Sequence, residues 1–362
     1  MRPRTRVRTL CVIATLAAGC ADTSAPPDAA RADAAPPARP RDLDLLLAVD
    51  GSSSVGEEQW SFIQALPALL AALTSGDADG DGVPEARGFD TIQIGVVTSD
   101  MGVGGHAVPS CEPADFGEDG VLRDRGDTER PGCMTSYPRV LGWGPGTDLE
   151  QVAASARCVA RVGTTGCGFE QPLEGVLKAI SPSAPTASTP PDYAPPTFLR
   201  GTTGHGDGVN EGFLRQGSLL AVLLMTDEDD CSARDADIYR EDSEAYAHVD
   251  LLRRCDLDDA LHPIARYLTG LIALRPHPSR VAFFPIAGMS PTGNDEAWSS
   301  RTKSVLRRPL PNAGELTKSA SNSWSATSSS MGARHANSAA SFCTSADSSW
   351  KASRSNRRHS VL

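Results

Sequence analysis

Leu43-Asp44-Leu45-Leu46-Leu47-Ala48-Val49-Asp50, followed at once by Gly51-Ser52-Ser53-Ser54, is the stretch that decides the fold. It is an apolar run of strand length that ends in a carboxylate and a tight polar turn. Comparable runs recur at Thr91 to Asp100 (TIQIGVVTSD), Ser218 to Asp227 (SLLAVLLMTD) and Arg280 to Gly288 (RVAFFPIAG). All are near-continuous rather than alternating, the pattern of parallel strands covered on both faces. Helical spacing between them predicts helices over Glu57 to Leu73, Glu170 to Ile180 and Asp250 to Leu274. Strands alternating with helices predict a doubly wound, mostly parallel α/β sheet over residues 42–290. Ligands of such sheets lie beyond the carboxyl ends of the strands, so Asp50, Asp100 and Asp227 mark where function is to be sought.

Working outward, the N-terminus has a basic start, an apolar stretch from Leu10 to Ala18, and Gly19-Cys20. It reads as a signal peptide over residues 1–20, too short to span a bilayer as a mature helix. Leu16-Ala17-Ala18-Gly19-Cys20 resembles a bacterial lipobox, which implies acylation of Cys20 and a lipid anchor; an ordinary secretory signal is the alternative. Residues 21–41 are rich in Pro and Ala and read as a flexible tether. The expected location is the cell envelope, at the outer membrane or the periplasmic face. The net charge of −11 argues against a nucleic-acid surface, which needs clustered Lys and Arg.

Export places the cysteines in an oxidising compartment. Six fall between Cys111 and Cys255, and sequence neighbours favour Cys111 with Cys133, Cys158 with Cys167, and Cys231 with Cys255. A zinc site is the rival, but no CxxC pair or nearby His supports it. Cys343 is left over. Met101 to Arg157 is long and Gly-rich, and reads as a disulfide-stapled insertion on the same edge as the site. From residue 291 to 362 the chain turns basic, with ten Lys or Arg against four Asp or Glu and 18 serines. A native low-order tail and a frameshift in the gene both account for this. The second is favoured because a sheet of this kind continues with one more strand and helix.

The strongest chemical signal is Asp50-x-Ser52-x-Ser54 between the first strand and the first helix. A carboxylate and two hydroxyls at alternate positions on a tight turn offer hard oxygen ligands to Mg²⁺, Mn²⁺ or Ca²⁺. The competing explanation is helix capping by Asp50 and Ser52. The DxSxS arrangement after LDLLLAV resembles the metal-ion-dependent adhesion site of von Willebrand factor type A domains, whose fold is Rossmann-like. Leu223-Leu224-Met225-Thr226-Asp227-Glu228 resembles that family's strand ending in Thr-Asp, which implies that Asp227 supplies a carboxylate to the metal. Glu228, Asp229 and Asp230 extend the acidic cluster.

The third loop departs from the family's Gly-Gly-Thr. Here Gly163-Thr164-Thr165-Gly166-Cys167-Gly168-Phe169-Glu170 precedes the helix, and counting back from it places Glu170 where the Thr would stand. Thr165 is the alternative, and Glu174 resembles a glutamate that some integrin chains use. A second candidate is Asp77-x-Asp79-x-Asp81-Gly82, with the spacing of a calcium loop but Gly88 in place of its closing Glu. A polar turn is the bland reading. GVVTSDMG at 95–102, GCGFEQPLEG at 166–175, GFLR at 212–215 and LMTDEDDCSA at 225–234 resemble cysteine-containing type A-like lipoproteins of myxobacteria and related bacteria. That resemblance spans roughly residues 41–290.

No nucleophile elbow surrounds Ser52 to Ser54, and no motif ties a His to a serine. A phosphoryl-accepting Asp50 would want Asp where Ser52 stands. The expectation is therefore a binder rather than an enzyme. A divalent cation held by Asp50, Ser52, Ser54, Asp227 and Glu170 would be completed by an acidic side chain of a protein partner. A metal-dependent hydrolase or phosphatase, and a calcium-stabilised structural envelope protein, are the alternatives.

Overall fold

The computed structural model describes residues 39–111 and 115–287. Cys20 with the lipobox, the tether up to residue 38, the chain from 288 onward and Cys343 lie outside the described residues.

Five strands form one sheet: β1 (Asp42–Val49), β2 (Thr91–Thr98), β3 (Leu141–Trp143), β4 (Leu219–Thr226) and β5 (Val281–Ala287). Their order is β3-β2-β1-β4-β5, parallel throughout except for the antiparallel β3. The helices are α1 (Gly56–Ser75), α2 (Leu149–Ala160), α3 (Pro172–Ile180) and α4 (Ile264–Ala273). The architecture is thus a mixed α/β one, compatible with a Rossmann-like fold.

The apolar runs are continuous because each strand is covered twice. Leu43, Leu45, Leu47 and Val49 of β1 pack in one core with Phe62, Ile63, Leu66 and Leu70 of α1 and Val152, Ala156 and Val159 of α2. Leu46 and Ala48 face the other side, against Val176, Leu177 and Ile180 of α3 and Tyr267 and Leu271 of α4. Each fully buried aliphatic side chain contributes roughly 1.5–3 kcal/mol. A third core sits among the loops and joins Val103, Phe169, Ile238 and Tyr239 to the two disulfides Cys111–Cys167 and Cys231–Cys255. Phe169 and Tyr239 meet edge to face at 5.2 Å.

The four predicted strands and α1 fall where the sequence places them, within two residues at each end, and β3 is an addition. Four expectations need correction. The helix predicted from Asp250 to Leu274 is instead a 3₁₀ turn at Leu251–Asp256 and the separate α4. Pro263 is the N-cap of α4, and a residue preceding proline avoids the helical region, so the chain cannot run on through His262. Similarly, α3 begins at Pro172 rather than Glu170, which leaves Glu170 in the loop.

The disulfides also differ. Cys231 pairs with Cys255 as expected, but Cys111 joins Cys167 and Cys133 joins Cys158. The reason lies in the fourth correction, to the segment Met101 to Arg157. It is not a loop throughout, because it ends in β3 and α2, the latter capped by the Asp148 side chain on Glu150 N at 2.9 Å. Once α2 packs beside α1, Cys158 faces the turn that carries Cys133. Cys167 is thereby left free to meet Cys111.

No helix among the described residues is long and apolar enough to cross a membrane. The three disulfides fit an oxidising compartment.

Candidate metal centre

Strand register builds the centre. Val49 of β1 lies opposite Thr98 on one side and Met225 on the other, so the next residues, Asp50, Ser99 and Thr226, come together at the carboxyl edge of the sheet. Asp50 N donates to Met225 O at 2.9 Å, which carries the ladder one residue beyond the strand. The Asp50 side chain has no solvent exposure. Its Oδ1 accepts from Ser52 N at 2.8 Å and Ser99 Oγ at 3.1 Å, and its Oδ2 accepts from Thr226 Oγ1 at 2.6 Å.

The two serines turn away from α1. Its N-cap is Val55, and no side chain caps its amides, so capping does not account for Asp50 or Ser52. Instead Ser52 Oγ and Ser54 Oγ share a hydrogen bond at 3.0 Å, and Ser54 Oγ donates to Asp227 Oδ1 at 3.1 Å. Asp50, Ser52, Ser54 and Asp227, read from two distant segments, thus belong to one connected cluster.

Glu170 borders it from the third loop. Its carbonyl accepts from Cys231 N at 2.7 Å, Gln171 N donates to Ser99 O at 2.8 Å, and Gly166 N donates to Gly51 O at 2.9 Å. A Cβ on Gly166 would stand 2.9 Å from that carbonyl oxygen, so this close approach requires glycine. Glu170 is 7% exposed, and its carboxyl is pushed up to about 8 by burial, then by the Asp50 charge and more weakly by Glu228 and Asp227. Asp227 is raised by burial and by Asp50, against the lowering effect of Ser54. Glu228 is raised by burial, then by Asp227 and Asp50. Among the described residues no Lys, Arg or His forms an ion pair with Asp50, Glu170, Asp227 or Glu228. Four carboxyl groups therefore crowd one place, and among the described residues no cation is paired with them.

Other candidates go elsewhere. Asp100 folds back to accept Gly102 N at 2.9 Å. Glu174 is 3% exposed and held by Arg266 at 2.8 Å, with His262 at 3.8 Å, which makes it part of the α3–α4 contact. Thr165 is exposed on the loop beside Gly51. The start of the Met101 to Arg157 segment does lie at this edge, where Cys111 meets Cys167. Its later part runs back along the sheet, where Arg123 N bonds Val96 O at 2.8 Å.

Three positioning residues were not among the expected ligands: Ser99, Thr226 and Gln59. Gln59 Nε2 donates to Asp50 O at 2.7 Å and to Gly163 O at 2.6 Å, so one buried amide clamps the first and third loops together. A polar residue on the inner face of an amphipathic helix, three positions after its start, was the available signal.

The calcium-loop candidate lies at the opposite end of α1. Asp77, Asp79 and Asp81 are joined by Glu85, and one ligand atom from each lies within 4.8 Å of the others, so this cluster could hold a metal ion. Asp77 Oδ1 accepts Gly80 N at 2.7 Å and Asp77 Oδ2 accepts Gly82 N at 2.9 Å. Glu85 takes the acidic place that Gly88 does not fill. Among the described residues it is the one group of three or more acidic, His or Cys side chains gathered so tightly. At Asp50 the short-range donors are hydroxyls instead.

No family model matches the chain, and no curated protein matches it.

Proposed function

We propose that the described domain is a von Willebrand factor type A-like binding domain, and that Asp50, Ser52, Ser54, Asp227 and Glu170 hold a divalent cation which captures an acidic group of a protein partner. The observation that carries this reading is the hydrogen-bonded chain Ser52–Ser54–Asp227 beside a buried Asp50, within four carboxyl groups that no Lys or Arg among the described residues neutralises. Hard oxygen donors and uncompensated negative charge are what Mg²⁺, Mn²⁺ and Ca²⁺ require. A bound cation would neutralise the cluster and act as a Lewis acid toward an incoming carboxylate. The chain's own part is to orient the donors: Ser99 and Thr226 fix the Asp50 carboxylate, and Gln59 fixes the loop that brings Glu170 close. The arrangement has no base-activated nucleophile, so binding is favoured over hydrolysis. Export and a lipid anchor at Cys20 would place this binder on the cell envelope.

The cluster Asp77, Asp79, Asp81 and Glu85 supports a second reading, a structural calcium loop that raises stability by mass action alone.

Calorimetric titration of Mg²⁺, Mn²⁺ and Ca²⁺ into the purified chain tests both. Ser54→Ala and Asp227→Asn are expected to weaken one cation site by at least about a hundredfold, because loss of a supporting neighbour alone typically costs 10–100-fold. Asp79→Asn with Asp81→Asn should leave that site intact. A cation isotherm that only the second pair of substitutions removes would leave the calcium loop and end the adhesion reading.

A further inference from the structure

On a chain of net charge −11, one exposed tryptophan is ringed by arginines. Trp60 of α1 is 48% exposed, with the guanidinium carbons of Arg130 and Arg161 at 5.3 and 5.5 Å from its ring centre. Arg157 of α2 adjoins them and donates to Gln64 Oε1, one turn along α1. Arg161 is paired with Asp127 at 2.8 Å. Arg130 and Arg157 have no carboxylate within ion-pair reach among the described residues. Arg130 Nη1 and Arg157 Nε are buried without an acceptor. The Arg157 guanidinium is held below its ordinary range by burial and then by the Arg130 charge.

This grouping is constructed, not accidental to flexible side chains. The Cys133–Cys158 disulfide ties the turn bearing Arg130 to the helix bearing Arg157, which directly precedes Cys158. Cys133 N bonds Arg130 O at 3.2 Å and Asp127 N bonds Cys158 O at 3.0 Å, so the turn is fixed at both ends. Repulsion between the neighbouring Arg130 and Arg157 guanidinium groups is thus imposed by a covalent link, and Asp127 pairs with Arg161 rather than with either of them.

We infer that Trp60, Arg130, Arg157 and Arg161 form a docking surface for an acidic polypeptide segment of a partner protein. The guanidinium fork matches a carboxylate in bidentate fashion, and Arg and Trp are the side chains that most often dominate binding surfaces. Place supports the choice of occupant. Arg161 leads into Val162 and Gly163, and Gly163 is clamped by Gln59, the neighbour of Trp60 in the chain. The patch therefore borders the loop that closes on Asp50. The preference for a polypeptide over other polyanions rests on the adhesion-site reading, since a partner that offers a carboxylate to a cation there is already acidic.

The test is fluorescence anisotropy of labelled poly-L-glutamate with the full chain in excess chelator, which silences any cation site. Binding is expected, weakening as salt rises. Arg130→Ala with Arg157→Ala should weaken it by about tenfold or more, and Trp60→Ala should also weaken it, with unfolding midpoints recorded for each variant. Arg157→Gln, at a part-exposed position, serves if the double variant does not fold. Absent binding, binding indifferent to salt, or equal binding by folded variants overturns the proposal. So does a preference for a sulfated polysaccharide or nucleic acid over polyglutamate. Polyglutamate binding without any cation isotherm would keep the patch and remove the adhesion site, and the reverse result would do the opposite.

Discussion

Asp44→Ala is expected to destabilise the chain by about 3–5 kcal/mol, the cost of stranding buried charge. Asp44 interrupts the apolar run of β1 and has no solvent exposure. On the α3–α4 side of the sheet its Oδ1 accepts Arg215 Nε at 2.7 Å. Its Oδ2 accepts Arg215 N at 2.7 Å, the Ser218 hydroxyl and, at 3.4 Å, Arg275 Nη2. The side chain of Arg275 is 1% exposed, and burial pushes its guanidinium down to about 10 although Asp44 opposes this. Without the carboxylate, that cation has no counter-charge among the described residues, and Arg215 is left with Thr91, the Leu43 carbonyl and the more distant Asp42. Equilibrium urea unfolding measures the effect. Asp44→Leu combined with Arg275→Leu should recover much of the loss, because removing both members of a buried pair is far milder than removing one. A single substitution costing under about 1 kcal/mol would refute the account.

Removing the Cys111–Cys167 bridge, with both residues changed to Ala, should cost about 4 kcal/mol. The bridge spans 56 residues, and the chain-entropy relation assigns a loop of that length this order of stabilisation. Cys133–Cys158 and Cys231–Cys255 close shorter loops of 25 and 24 residues and should each contribute about 3–4 kcal/mol. Two measurements decide the matter. Non-reducing peptide mapping should recover Cys111 linked to Cys167 and Cys133 linked to Cys158; recovery of Cys111 with Cys133 would reject the arrangement. Unfolding midpoints of the paired-alanine variants should then rank the first bridge as the most stabilising.

Much of this was legible in the chain itself, and the failures have physical causes. Runs such as LDLLLAVD and SLLAVLLMTD announce doubly covered strands because burial on both faces leaves no room for alternation. Asp50, Ser52, Ser54 and Asp227 were grouped through the resemblance to the type A adhesion site, and the parallel register of β1 and β4 brings the ends that carry them side by side. Three-residue β3 carries too short a pattern to detect, and α2 is rich in alanine, which marks no strong apolar face. The cysteine pairing was misread because nearness in sequence substitutes poorly for nearness in space once a helix intervenes. Glu85, within the same stretch, is not counted as a ligand from the sequence because the calcium-loop spacing places the closing carboxylate at Gly88. Asp44 was passed over as one polar residue in a strand, although a buried carboxylate on a sheet face always demands a partner.

Helix α1 begins beside Ser54 and ends beside Asp77, with Gly76 closing it in a left-handed turn whose Cβ would lie 1.8 Å from Ala86 O. Twenty residues of α-helix measure about 30 Å, three or more screening lengths at physiological ionic strength. The two acidic loops are therefore electrically deaf to each other, and charge added at one is spent in solvent before it reaches the other. Each can adopt its own cation, affinity and evolutionary fate without retuning its counterpart.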